Sequence, residues 1–228
     1  MKAYKGNIIF TKDASDFTIY EDSYILVEDG KVKDIVKEEP DCEVEDFGEK
    51  LIIPAFNDIH IHAPQFTNSG SGYDEELIPW LNKYTFPTEA KYADPEFARK
   101  IYKRFIEILW RYGSMRSVVF SSLHKEGTEI LFDLFKESGL GAYIGKVNMD
   151  RNSTEDLIET TEDSLKDTRE IIEKYRDEKL VKPIITPRFV PSCTNELMEG
   201  LQEIINEEKL PVQSHLSENV GEVEWVKE

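Results

Sequence analysis

Cysteine is scarce and never paired in this sequence: its 228 residues hold two, Cys42 and Cys193, and no CxxC. That excludes a thiolate zinc knuckle and a disulfide framework. It fits a reducing compartment, so the cytoplasm is the expected location. No run of about 18 apolar residues occurs, which argues against a membrane-spanning helix and any membrane partner. Met1–Asn7 leads into strand-like sequence without the apolar stretch of a signal peptide. Basic residues are the minority, 28 Lys and Arg against 46 Asp and Glu, for a formal net charge of -18. So acidic a surface repels phosphate backbones, which argues against nucleic acid and leaves a small neutral substrate open. Internal repeats, low-complexity tracts and flexible linkers are also lacking.

What is present is enough apolar material, 39% hydrophobic and 11% aromatic, for one large domain or one domain plus a small one. Tyr24–Glu28 and Lys31–Val36 flank Asp29-Gly30, a two-residue hairpin signal in which both turn positions take positive φ. Residues 1–52 are therefore expected to form a small antiparallel β unit. From Leu51 the rhythm changes to apolar strands followed by amphipathic helices. The strands are predicted at Leu51–His62, Ser114–Ser122, Gly141–Met149, Val181–Phe189 and Leu210–His215. The helices are predicted at Pro95–Tyr112, Glu126–Ser138, Thr154–Lys179 and Asn195–Glu208, with Gly113, Gly139 and Gly141 at helix stops. Nearly continuous apolar strands alternating with helices indicate an α/β fold with a parallel sheet over residues 53–228. Five strands suit an open doubly wound sheet or part of a (β/α)8 barrel, and composition leaves both open.

Four histidines occur, and three suggest a metal. Asp58-Ile59-His60-Ile61-His62 ends the first strand after the hairpin region, and side chains at i and i+2 share a strand face. His60 and His62 can thus converge on one ion, with His215 at the end of the fifth strand as a third ligand. Three imidazoles plus an open position suit catalytic zinc. His124, which closes the second strand, is read as a non-ligand. The zinc nucleobase deaminases built on HxE and PCxxC are excluded, because no PCxxC occurs.

Pro54-Ala55-Phe56-Asn57-Asp58-Ile59-His60-Ile61-His62 resembles the PGxxDxHxH opening of amidohydrolase-superfamily barrels, with Ala55 where that pattern has Gly. The Glu28-Asp29-Gly30-Lys31-Val32 hairpin is similar to the small β-sandwich that precedes those barrels. Within the superfamily, five segments resemble the guanine deaminases: His62-Ala63-Pro64-Gln65, Lys83–Pro87, Gly145–Asp150, Thr186-Pro187-Arg188-Phe189 and Ser214-His215-Leu216-Ser217-Glu218-Asn219. The likeness runs along essentially the whole chain, in order.

The resemblance implies a metal-dependent hydrolase-type (β/α)8 TIM barrel, carried here through about its fifth strand behind strands of a small β-sandwich. It implies hydrolytic deamination of guanine to xanthine and ammonia in purine catabolism or salvage. One Zn2+ per chain is expected on His60, His62 and His215, with Glu218 as the catalytic acid/base. Gln65, Arg188 and Phe189, together with His62, His215 and Glu218, are expected to contact guanine. Gln65 offers an amide donor and acceptor to a purine edge, and Arg188 a planar fork of donors. Two-metal relatives carry a carboxylated lysine on the fourth strand. Lys146 counts onto the third, and Arg188 on the fourth opposes a second cation, so one metal is expected. A further His and a metal-binding Asp are implied beyond residue 228, so the chain is expected to be an inactive part of a longer enzyme. Homodimer formation is a further implication. The alternatives are a related deaminase or chlorohydrolase acting on another amino-purine, pyrimidine or triazine, or a non-catalytic half-barrel.

Overall fold

The structure, a computed structural model, describes residues 1–227. It divides into two compact units, Met1–Ala55 and Phe56–Glu228. In the first, β1 (Lys2–Thr11), β2 (Phe17–Glu28), β3 (Lys31–Val36) and β4 (Glu43–Ile52) form one sheet in the order β3-β2-β1-β4. Asp29 and Gly30 take φ 53° and 72°, as the tight β2–β3 turn demands. The expectation of a purely antiparallel unit fails at one edge, since β4 pairs parallel to β1. The hairpin signal orients β3 against β2 only. Residues 37–42 carry no such turn signal and return the chain across the sheet.

Leu51–His62 is not one strand. β4 ends at Ile52, and β5 (Phe56–His62) opens a second sheet. Pro54, with no N–H to donate, lies in the gap. In the second unit β5, β6 (Ser114–Phe120), β7 (Gly141–Gly145) and β9 (Val181–Pro183) lie side by side in that order, every pair parallel. A doubly wound sheet reverses its strand order part-way across. Here each new strand is added on the same side, the order of a TIM-type barrel, and the fold is α/β with a partial barrel. The helices between are α3 (Pro95–Tyr112), α4 (Lys125–Ser138), α5 (Thr161–Tyr175) and α6 (Asn195–Glu208). The Asp94 side chain caps α3 by accepting from Glu96 N at 2.9 Å, and Gly113 ends that helix at φ 75°. α5 starts at Thr161 and not at Thr154, because Thr160 caps it through Asp163 N at 3.1 Å. Among the described residues no helix is long and apolar enough to cross a membrane.

Two of the longer predicted strands are interrupted. β7 stops before Lys146 and resumes as β8 (Val147–Asn148), while β9 is separated from β10 (Thr186–Pro187), which pairs parallel to β8. Pro183 and Pro187 lack the N–H for a continuous ladder. Leu210–His215 joins through two parallel bridges, Ile185 to Val212 and Phe189 to His215, not as a full strand. Gln213 compensates by donating from its amide nitrogen to Val119 O at 3.1 Å and to Thr186 Oγ1 at 2.9 Å. Two helical pieces here are unforeseen from the sequence: a 3-10 turn Pro64–Asn68 and, after the turns of residues 69–76, an irregular helix made of α1 (Leu77–Trp80), a wide turn Leu81–Thr85, α2 (Phe86–Glu89) and a 3-10 turn Ala90–Ala93. Pro79 and Pro87 disguise it as loop. The core lies between sheet and helices, where Val119, Leu131, Phe132, Phe135, Leu140 and Ile144 are fully buried. Each such side chain contributes roughly 1.5–3 kcal/mol by leaving water.

Candidate active site

The strand period turns His60 and His62 to one face at the end of β5, and the Phe189–His215 bridge brings His215 beside them. The ligating nitrogens of the three rings lie within 4.8 Å of one another. The Nε2 atoms of His62 and His215 are 3.0 Å apart. Phe120, buried at the end of β6, floors the group, with ring centroids 4.4 Å from His62, 4.6 Å from His215 and 5.1 Å from His60.

His215 Nδ1 lies 2.6 Å from the backbone oxygen of Arg188. A carbonyl only accepts, so Nδ1 carries the proton and Nε2 turns a lone pair toward His62. Burial pushes the His62 imidazolium well below its usual pKa, with the positive charges of Arg188, His215 and His60 adding to it. Burial also lowers His215, against the Arg188 carbonyl and Glu218, which favour its charged form. Neutral rings are the form that binds metal. Bonds of about 2.0–2.1 Å in a tetrahedron place two imidazole nitrogens roughly 3.3 Å apart, and the 3.0 Å spacing fits an ion between them.

Gln65 follows β5 in the Pro64–Asn68 turn, Arg188 and Phe189 follow β10, and Glu218 precedes α7 (Val220–Lys227). All four, with the three histidines, line one cavity of about 230 Å³, joined by Leu77, Trp80 and Leu81. Drug-sized pockets run to roughly 300–1,000 Å³, so this one suits a small ring compound. The seven residues expected from the sequence to hold metal or substrate thus line one cavity. His124 stands outside the cluster as the residue before α4, and Lys146 is held elsewhere. The Lys146 side chain is 2% exposed and donates to both carboxylate oxygens of Glu159 at 2.7 Å. Burial raises the Glu159 pKa while Lys146 draws it back.

Two carboxylates were not anticipated. Glu89, 2% exposed at the end of α2, accepts from both terminal nitrogens of Arg188 and from Gln65 Nε2. Glu222, 1% exposed in α7, accepts the backbone N–H of Ser217 at 3.1 Å and of Glu218 at 2.7 Å. It holds a turn in which Ser217 adopts φ 56°. Neither leaves a local signal. The partner of Glu89 is 99 residues away, and Glu222 is one acid among 46 Asp and Glu. A helical reading of residues 77–93 would have exposed Glu89 as an acid on a buried face.

The sequence profile of the amidohydrolase family matches residues 51–228. The chain belongs to the amidohydrolase family. Members of this family are in general metal-dependent, and here the described residues include the three-histidine cluster. The chain is 38% identical to the guanine deaminase of Dictyostelium discoideum, covering 100% of this chain and 56% of that protein. It is 38% identical to the guanine deaminase of Escherichia coli over 94% of this chain and 50% of that protein. Among solved structures, the guanine deaminase from C. acetobutylicum with guanine bound in its active site superposes with a TM-score of 0.96 at 52% identity. That match covers 99% of this chain and 55% of the other. The chain spans about half the length of the relatives it matches.

Proposed function

We propose that this chain is part of a zinc-dependent guanine deaminase, which hydrolyses guanine to xanthine and ammonia in cytoplasmic purine catabolism. The observation that carries the reading is the convergence of three imidazoles with Gln65, Arg188 and Glu218 on one small cavity. The relatives bearing that name support it. His60, His62 and His215 would hold one zinc ion, imidazole ligands without thiolates suiting that metal. When bound, the ion supplies Lewis acidity that makes hydroxide available from water near neutral pH. Arg188 would donate to the acceptor atoms of the base, Gln65 would pair with its edge, and Phe189, 4% exposed, would pack beside the ring. These contacts hold C2 toward the histidines and keep bulk water out. Glu218 would take a proton from the attacking water and deliver it to the adjacent ring nitrogen. It would then carry the proton of the new hydroxyl to the amino group, which leaves as ammonia while C2 becomes a carbonyl. One carboxylate serves as base and then as acid. The test is ammonia release from guanine by the full-length protein, with xanthine followed by its absorbance. Turnover of amino-triazines or other amino-heterocycles without turnover of guanine would overturn the reading.

A further inference from the structure

Arg188 and Gln65 face the cavity from different elements, one after β10 and one after β5. Both are tied to a single side chain that does not line the cavity. The Glu89 carboxylate accepts from Arg188 Nη1 at one oxygen, and from Arg188 Nη2 and Gln65 Nε2, each at 3.3 Å, at the other. Both Glu89 and Arg188 have side chains 3% exposed, so water does not compete for these contacts. The same helix supplies Phe86, whose ring lies 4.9 Å from the guanidinium carbon of Arg188 and fixes the plane of the fork.

We propose that Glu89 is a positioning residue that sets the donor–acceptor polarity of the substrate pocket. This inference rests on the guanine reading above. An ionised carboxylate accepts and cannot donate. Gln65 must therefore turn its NH2 toward Glu89, which leaves its carbonyl oxygen for the cavity. Arg188 has no acceptor at all and presents only N–H groups. The pocket thereby offers a fixed acceptor at Gln65 and fixed donors at Arg188. The complementary ligand is a flat ring whose edge carries a carbonyl or bare ring nitrogen opposite Arg188 and an N–H opposite Gln65. A 6-oxo purine has both. A 6-amino purine such as 2,6-diaminopurine replaces the carbonyl by a donor and removes the neighbouring ring N–H, so its polarity is inverted.

Replacing Glu89 with Gln keeps the shape and reverses this logic. Arg188 claims the single amide oxygen of the new side chain, whose NH2 then faces Gln65. Gln65 turns over to accept from it and shows its own NH2 to the cavity. In the full-length, metal-loaded protein, Glu89→Gln is expected to lower kcat/KM for guanine about tenfold or more, chiefly through KM. The preference for guanine over 2,6-diaminopurine narrows by a similar factor. Glu89→Asp, which keeps an acceptor-only group, restores that preference in part. Metal content stays at the parent level in both. A folded Glu89→Gln protein with parent kinetics on both purines would overturn the inference while leaving the guanine reading intact. A parent protein inert toward guanine would sink both. Should Glu89→Gln not fold, a crystal structure of the parent with guanine bound decides: Gln65 turned with its NH2 on the base, or Glu89 directed away from Arg188, refutes the assignment.

Discussion

Replacing Arg188 with lysine separates the tasks this residue performs. Its backbone oxygen holds His215 at Nδ1 and at N (2.6 and 3.1 Å), and its backbone N–H donates to Asn148 O at 3.2 Å. Those contacts survive the substitution, so metal content should hold. The side chain is different. Lysine keeps the charge opposite Glu89, so the roughly 3–5 kcal/mol penalty for stranding one member of a buried pair does not apply in full. It loses the second of two parallel hydrogen bonds to Glu89 and the flat contact with Phe86, and it has no fork left for substrate. One charge-assisted hydrogen bond is worth about 1.5–3 kcal/mol. At about 1.4 kcal/mol per factor of ten, kcat/KM for guanine should fall roughly 10- to 150-fold. Ammonia release on the full-length variant measures this, with zinc determined by atomic absorption on the same sample. A variant within about threefold of the parent at equal metal content would refute the role given to the guanidinium.

His215→Ala should remove most of the bound metal, because it takes away both a ligand and the anchor on the Arg188 carbonyl; full metal retention would exclude it from the ligand set. Glu218→Gln should keep zinc and lose guanine turnover by about 10²–10⁴, as judged by paired metal and ammonia assays. Glu222→Gln, which keeps only one of the two oxygens that accept the Ser217 and Glu218 N–H groups, should lower kcat about 3- to 10-fold with metal unchanged, and parent-like kcat would show that the Glu218 turn holds itself. At Gly145 an added Cβ would lie 1.7 Å from Thr186 Oγ1 and 2.7 Å from Ile184 O; Gly145→Ala should cost about 3 kcal/mol or more, seen as a Tm lowered by roughly 6–12 °C.

The site was more legible in the sequence than the scaffold around it. His60 and His62 reveal themselves by a two-residue spacing that any strand converts into convergence. His215 stood out by its place at the end of the fifth predicted strand, Arg188 and Gln65 came through motif likeness, and the structure brings all three to the same cavity. The strand-and-helix alternation was readable because apolar runs and capping residues such as Asp94 and Gly113 act locally. Its details were not: the parallel pairing of β4, the break at Lys146 and the bridged segment at Val212 depend on partners distant in sequence. The irregular helix over 77–93 was hidden by Pro79 and Pro87, and Glu89 with it. A buried acid reveals itself only through its cation, and here that cation is 99 positions away.

The histidines lie at opposite ends of a long contour: 153 positions separate His62 from His215, although their Nε2 atoms are 3.0 Å apart. For a flexible chain, closing so large a loop costs roughly 4–5 kcal/mol in entropy beyond a constant. That cost is met by the successive strand–helix units in between. An ion held there works as a buckle on an already fastened belt. Its affinity reports the integrity of all the intervening units, so weakening α4 or α5, far from the cavity, should speed metal loss to a chelator. Conversely, an ion held by the three histidines would slow the parting of β5 from the segment at His215, so metal exchange would gauge the opening of the strand–helix units between them.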